Sequence, residues 1–248
     1  MQATDDRLAK FAHIQNKDRR TYCAMMLAMD ENIGKVLQKL AETGQEKNTL
    51  VMFIADNGGP NMPSTTTNAS INAPLRGSKR TTLEGGIRVP FLLSWKGRIQ
   101  PGVYDQPVIQ LDVTATALEL AGVTAGQLDG VNLLPYLAGT VKGAPHEVLY
   151  WRFGEQMAIR MGDFKLVRYD ANVDTRTGAR NQPVAGPKLY NLANDIGEKH
   201  DLYATQPEKA KALQAKWDAW NATLIKPLWG AAHMEGSGKK GKKKKSIE

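Results

Sequence analysis

Two stretches of this chain set chemically able side chains beside backbone that can bend around a ligand. Asp56-Asn57-Gly58-Gly59 follows directly on the apolar run Thr49-Leu50-Val51-Met52-Phe53-Ile54-Ala55. A carboxylate next to an amide carbonyl offers two hard oxygen ligands, the donor type that suits calcium or magnesium. Open α/β sheets take their ligands at the C-terminal edge of the strands, which is where this pair falls. The same four residues also suit a plain tight turn, because Asn-Gly is among the best turn dipeptides. Composition leaves both readings open. The second stretch, Leu75 to Pro90, holds Arg76, Lys79, Arg80 and Arg88 among Gly77, Gly85 and Gly86. Glycines let backbone approach a ligand closely, and clustered cations suit a sulfate or phosphate group. A lysine ammonium is a movable point charge that can follow negative charge developing on an ester oxygen. As a bare pattern this is equally a solvated basic loop.

The elements that must position these groups are readable from periodicity. Tyr22, Met25, Met26, Met29, Ile33, Val36, Leu37 and Leu40 recur at three- and four-residue spacing, the apolar face of a helix from about Arg19 to Thr43 that Gly44 ends. Cys23 and the methionines within it are core candidates rather than redox or metal groups. The run Thr49 to Ala55 lacks alternation, which predicts a strand buried on both faces, as in a helix-covered parallel sheet. Pro60 to Lys79 reads as a long loop, and Val89 to Trp95 as a strand with Pro90 at its start or edge. Asp112 is a plausible N-cap for a helix through Val113, Ala117, Leu118 and Leu120, ended by Gly122. Beyond about Pro145 the texture changes to short strands: Val148–Phe153, Met157–Arg160, Phe164–Tyr169 and Lys188–Leu192. An amphipathic helix from about Pro207 to Thr223 follows. This predicts three segments: an α/β part over 1–145, a small antiparallel sheet with a covering helix over 146–230, and a tail over 231–248.

Whole-chain properties narrow the function classes. The 248 residues carry a formal charge of +8, but the six lysines and one glutamate from Gly236 onward supply +5 of it. The body is therefore only mildly basic, and no specific nucleic-acid partner is expected. The run Lys239 to Lys245 repels itself and should be solvated, with weak unspecific polyanion binding as the alternative. One cysteine excludes an intrachain disulfide and a multi-cysteine zinc cage. No apolar run reaches the length of a membrane span, and Met1 to Asp6 is too polar for a signal peptide.

Taken together, Phe53-Ile54-Ala55-Asp56-Asn57-Gly58-Gly59, a loop, and Leu75 to Pro90 with Lys79-Arg80-Thr81-Thr82-Leu83-Glu84-Gly85-Gly86 are very similar to the second half of the type I sulfatase core. Arg20 to Gly34, Leu111 to Gly122, Asp129 to Pro135, Ala158 to Leu166, and Leu189 to Leu202 resemble further parts of that family, so the resemblance runs from about Arg7 to Trp229. It implies an alkaline-phosphatase-like fold, a mixed sheet flanked by helices with a small C-terminal antiparallel sheet, and hydrolysis of sulfate esters. It implies a divalent cation, usually Ca2+ with Mg2+ possible, with Asp56 and Asn57 as two of its ligands. Lys79 is the residue it assigns to the substrate's sulfate and to the leaving-group side. Glu84, Gly85 and Gly86 are expected to serve loop architecture. The family's nucleophile is a formylglycine made within Cys/Ser-x-Pro-Ser-Arg, a motif this chain does not contain. Cys23 sits in Tyr-Cys-Ala-Met-Met, and Asn61-Met62-Pro63-Ser64-Thr65 lacks both the modifiable residue and the arginine. Asp5-Asp6 has no strand before it and is rejected as the family's early metal pair. His13, His146, His200 and His233 are expected in surface or structural roles rather than as the family's sulfate-binding histidine. The chain is thus expected to be a C-terminal portion, inactive alone, of an enzyme that is periplasmic or extracellular and takes a sulfated small molecule or carbohydrate. A phosphate or phosphonate ester hydrolase of the same superfamily and a non-enzymatic polyanion-binding fragment are the alternatives.

Overall fold

The computed structural model of the chain describes residues 1–61, 68–124, 126–171 and 184–225. The Asn61 to Thr65 segment lies largely outside them, as do His233 and the lysine run. Asn16 opens the longest helix by accepting a hydrogen bond from Arg19 N at 2.9 Å, which satisfies one of the free amides at a helix start. A short helix α1 (Asp5–Lys10) with Asp5 and Asp6 in its first turn precedes this α2 (Lys17–Glu42). The two are tied by Arg7 to Glu31 at 2.8 Å. Gly44 closes α2 at φ +69, the left-handed conformation its position predicted.

The apolar face of α2 does not enter a core. Met25, Met26, Met29, Val36 and Leu37 are all exposed, Val36 at 62 %. The strand after it, β1 (Val51–Ile54), also departs from expectation. It pairs antiparallel with β2 (Phe91–Ser94), in the register Val51 opposite Ser94 through Ile54 opposite Phe91. β1 is half-buried along its length rather than enclosed on both faces. The reason lies in what surrounds it: among the described residues no strand other than β2 pairs with β1. An unalternating apolar run reports that both faces suit burial, and it cannot report that the cover is present.

Between β1 and β2 lies the one-turn helix α3 (Glu84–Ile87), and after them come α4 (Leu111–Leu120) and α5 (Leu134–Leu137). Gln110, not Asp112, stands at the N-cap of α4. The Asp112 carboxylate is fully buried inside the first turn, where it accepts from Ile109 N at 2.8 Å and Val131 N at 2.9 Å. It also meets His146 Nε2 at 2.8 Å. Its short polar side chain therefore joins three segments instead of capping one.

The second region follows its sequence reading closely. Strands β3 (Val148–Phe153), β4 (Gln156–Met161), β5 (Phe164–Arg168) and β6 (Lys188–Asn191) form one antiparallel sheet in that order. Alternation along β4 sends Met157 and Ile159 to one face, where they pack with Leu166, Leu189, Ala210 and Leu213 beneath α6 (Pro207–Ala222). The opposite face carries Ala158, Val167, Tyr169 and Tyr190, and Leu83 from the basic loop packs against it. The sheet is thus covered by a helix on one side and by the Lys79-bearing loop on the other.

Candidate functional site

The turn Asp56 to Gly59 leaves the end of β1 under several restraints. Asp56 accepts from Asn57 N at 2.9 Å, and Asn57 Nδ2 donates to Gly58 O at 2.9 Å. The Asn57 amide nitrogen is thereby committed to backbone, leaving its Oδ1 as the atom able to face a cation. Gln110 Nε2 donates to the carbonyls of Ala55 and Asp56 at 2.6 and 3.1 Å, fixing the strand end.

Lys79 stands at the exposed tip of a turn closed by Thr81. The Thr81 hydroxyl donates to Ser78 O at 2.8 Å and accepts from Ser78 N at 3.2 Å, and Arg80 takes φ +74. Gln156 on β4 holds the far side, with Nε2 donating to Arg80 O at 2.9 Å. Asn72 bridges the two stretches: it accepts from Gly59 N at 2.9 Å, and its Nδ2 donates to Gly59 O at 2.8 Å and Gly77 O at 3.0 Å. The stretches touch directly as well. Gly58 N donates to Gly86 O at 3.0 Å, and a side-chain carbon at Gly58 would stand 1.7 Å from Gly85 O. Only glycine permits that approach.

Glu84 serves the architecture of the loop through a buried ion pair. It opens α3 with its side chain 3 % exposed, 2.8 Å from the Nζ of Lys165, which is itself completely buried on β5. Lys165 also lies 2.8 Å from Oε1 of buried Glu198, off the hydrogen-bonding direction, while Glu198 Oε2 accepts from Glu84 N at 2.7 Å. Burial opposes ionisation of Glu84, yet the ammonium of Lys165 overrides it and holds the carboxyl below the usual range. Burial pushes Glu198 the other way. Lys165 offsets this in part, and the charge of Glu84 adds to it. Sequence reasoning missed Lys165, Glu198, Asn72 and Gln110. Lys165 sits in a strand pattern as an ordinary outward lysine, and no local signal marks the distant carboxylates it meets.

Asp56, Asn57 and Lys79 line a single cavity of about 650 Å3, together with Arg88, Trp151 and Arg160. Trp151 and Arg160 belong to β3 and β4, so the second region forms one wall. Burial lowers the Arg160 pKa, with Glu84 opposing and the neighbouring Arg88 charge adding to that lowering. Arg160 and the neighbouring Arg88, which lies 3.5 Å from Glu84, give this wall of the cavity a cationic stretch that Lys79 extends. The donor chemistry of Asp56 and Asn57 fits a hard divalent cation, but calcium takes six to eight oxygens. Among the described residues no cluster of three or more His, Cys, Asp or Glu could hold a metal. His146 has the structural role its sequence suggested, against Asp112, and His13 and His200 are exposed.

Residues 1–123 match the Sulfatase family, and residues 77–220 match the C-terminal region of N-sulphoglucosamine sulphohydrolase. Arylsulfatase A of Bos taurus is 33 % identical over 207 residues, 77 % of this chain and 40 % of its own length. Human N-acetylgalactosamine-6-sulfatase is 31 % identical over 79 % of this chain and 41 % of its own. The crystal structure of Ps i-CgsB in complex with k-i-k-neocarrahexaose superposes with a TM-score of 0.77 at 32 % identity, covering 95 % of this chain and 50 % of that one. The chain therefore spans about two-fifths to one-half of the relatives it matches. With its mixed α/β, alkaline-phosphatase-like architecture, the chain belongs to the type I, arylsulfatase-like sulfatase family.

Proposed function

We propose that this chain provides the leaving-group side and part of the cation site of a hydrolase that cleaves sulfate esters of a carbohydrate. The observation that carries the reading is the convergence of the adjacent pair Asp56-Asn57 with Lys79, from a separate loop, on one cavity lined by further cations. In this reading Asp56 and Asn57 hold a divalent cation, Ca2+ or alternatively Mg2+, through hard oxygens. The cation and a formylglycine, when bound and present, supply charge neutralisation and the nucleophilic oxygen. Lys79 contacts the sulfate and places its ammonium where negative charge grows on the ester oxygen as the sulfur–oxygen bond breaks. Its exposed position on a braced turn leaves the ammonium able to follow that charge. Trp151 offers an aromatic face to a sugar ring, and Arg88 and Arg160 balance the anionic substrate. A carbohydrate substrate is favoured by this lining and by the oligosaccharide bound to the similar Ps i-CgsB.

The chain by itself should not turn over substrate. It offers two cation ligands and lacks the Cys/Ser-x-Pro-Ser-Arg motif, and the apolar face of α2 is uncovered. Two measurements test the reading. The purified chain with calcium is assayed on an aryl sulfate, where sustained turnover would overturn the incompleteness. Binding of a sulfated carrageenan oligosaccharide is then titrated against its desulfated counterpart. Sulfate-dependent binding weakened about tenfold by Lys79→Ala is expected, the worth of one charge-assisted contact. Equal binding of both sugars would refute the assignment.

A further inference from the structure

The three buried charges behind the cavity exceed what stability asks of them. Burying an ion pair costs desolvation that its attraction only just repays, and apolar replacements of similar volume are often as stable. Here one lysine meets two carboxylates, all three at most 3 % exposed. Such a group is better explained by what it holds in place. Lys165 comes from the four-stranded sheet and Glu198 from the segment after it, while Glu84 belongs to the basic loop. Glu198 takes the Glu84 amide and Lys165 takes its carboxylate, so the first turn of α3 is gripped at backbone and side chain. The next two residues carry the grip onward. Gly85 N donates to Arg76 O at 2.7 Å, and Gly86 O accepts from Gly58 N in the Asp56 to Gly59 turn. Arg76 closes the circuit by donating to Glu198 O at 3.1 Å.

We propose that Lys165, with Glu84 and Glu198, is a positioning device through which the four-stranded sheet sets the Asp56-Asn57 turn against the Lys79 loop. The device would transmit position through backbone glycines that pack too closely to slide, rather than by touching substrate. The roles of Asp56, Asn57 and Lys79 rest on the function proposed above, but the coupling itself does not. It is read from amides and would stand or fall whatever the cavity binds.

The test is amide hydrogen exchange on the full chain. In Lys165→Met, exchange at Gly58 and Gly85 should accelerate about tenfold or more relative to the amides of β5 and α6, because opening becomes local. Leu213→Ala, on the α6 face of the same sheet, is the control for plain destabilisation. It should speed sheet and helix amides without raising the Gly58 ratio. Should Lys165→Met fail to fold because Glu198 loses its ion partner and Glu84 keeps only Arg88 at 3.5 Å, Lys165→Met combined with Glu84→Gln and Glu198→Gln removes all three charges and carries the same expectation. Partial restoration of Gly58 protection in Lys165→Arg, which keeps the charge, would support positioning over packing. Gly58 exchange that rises only in step with β5 and α6, or does not change, overturns the proposal. Loss of oligosaccharide binding in Lys79→Ala with unchanged Gly58 protection would separate the two readings.

Discussion

The two regions of this molecule treat apolar surface in opposite ways. The four-stranded sheet is closed on both faces, by α6 on one and by the basic loop on the other, and its central residues Ala158, Ile159, Leu166 and Val167 are fully buried. Around β1 and β2 the apolar residues are just as regular in sequence, yet α2 shows its methionines and Val36 to solvent. A groove of about 770 Å3, lined by Met26, Leu27, Ile33 and Phe53 among others, lies between α2 and the strands. The region of the four-stranded sheet therefore covers its own apolar surface, while the region of α2, β1 and β2 leaves apolar side chains exposed along the helix. The candidate site sits at the seam, with Asp56 and Asn57 on the incomplete side and the bracing lysine on the complete one.

The largest effect expected is at that brace. Lys165→Met should cost about 3–5 kcal/mol of unfolding free energy, since it takes the ammonium from two buried carboxylates and leaves Glu84 only Arg88 at 3.5 Å. Chemical denaturation followed by far-ultraviolet circular dichroism measures it, and a loss below about 1 kcal/mol would mean that the cluster is already hydrated. Leu213→Ala should cost about 2–5 kcal/mol as a cavity opens under α6. The contrasting change in the open region, Val36→Ala, should stay within about 0.5 kcal/mol, because the side chain is mostly in water already. A large loss there would show that α2 is covered in solution, and the sedimentation profile of the chain would identify self-association as the cover.

The pH dependence should belong to the closed region. Glu84 has a depressed folded pKa, so its contribution is complete above the unfolded value and lost as pH falls through the folded one. Glu198 is raised, so its contribution is complete below the unfolded value and lost as pH rises through the folded one. Stability should thus decline on an acid limb below the ordinary glutamate pKa and on a second limb above it. In denaturant midpoints measured across both limbs, Glu84→Gln should flatten the first and Glu198→Gln the second. Curves unchanged in both variants would show that other groups set the dependence. A smaller effect is expected at Gln110→Ala, which removes two bonds to the Ala55 and Asp56 carbonyls and should cost about 1 kcal/mol.

Much of this molecule was legible in its residues. Short strand-like runs located all four strands of the sheet, and Gly162 takes φ +57 in the turn between the second and third. Those signals are local, and the interactions that satisfy them are local too. The order of Asp56-Asn57 and the Lys79 to Gly86 loop pointed to the family, because close backbone approach demands glycine at fixed offsets. The antiparallel pairing of β1, the exposure of α2 and the inward turn of Asp112 were not legible, since each depends on which distant surface is present to meet it. Least visible was the buried cluster. Lys165, Glu84 and Glu198 stand more than thirty residues apart in the chain, and each alone reads as an ordinary surface charge. By itself, then, the sequence determined the elements and the chemical types at the site. Only the tertiary structure decided that a lysine would leave water to hold two carboxylates, because that desolvation is offset solely by partners that folding brings within 2.8 Å.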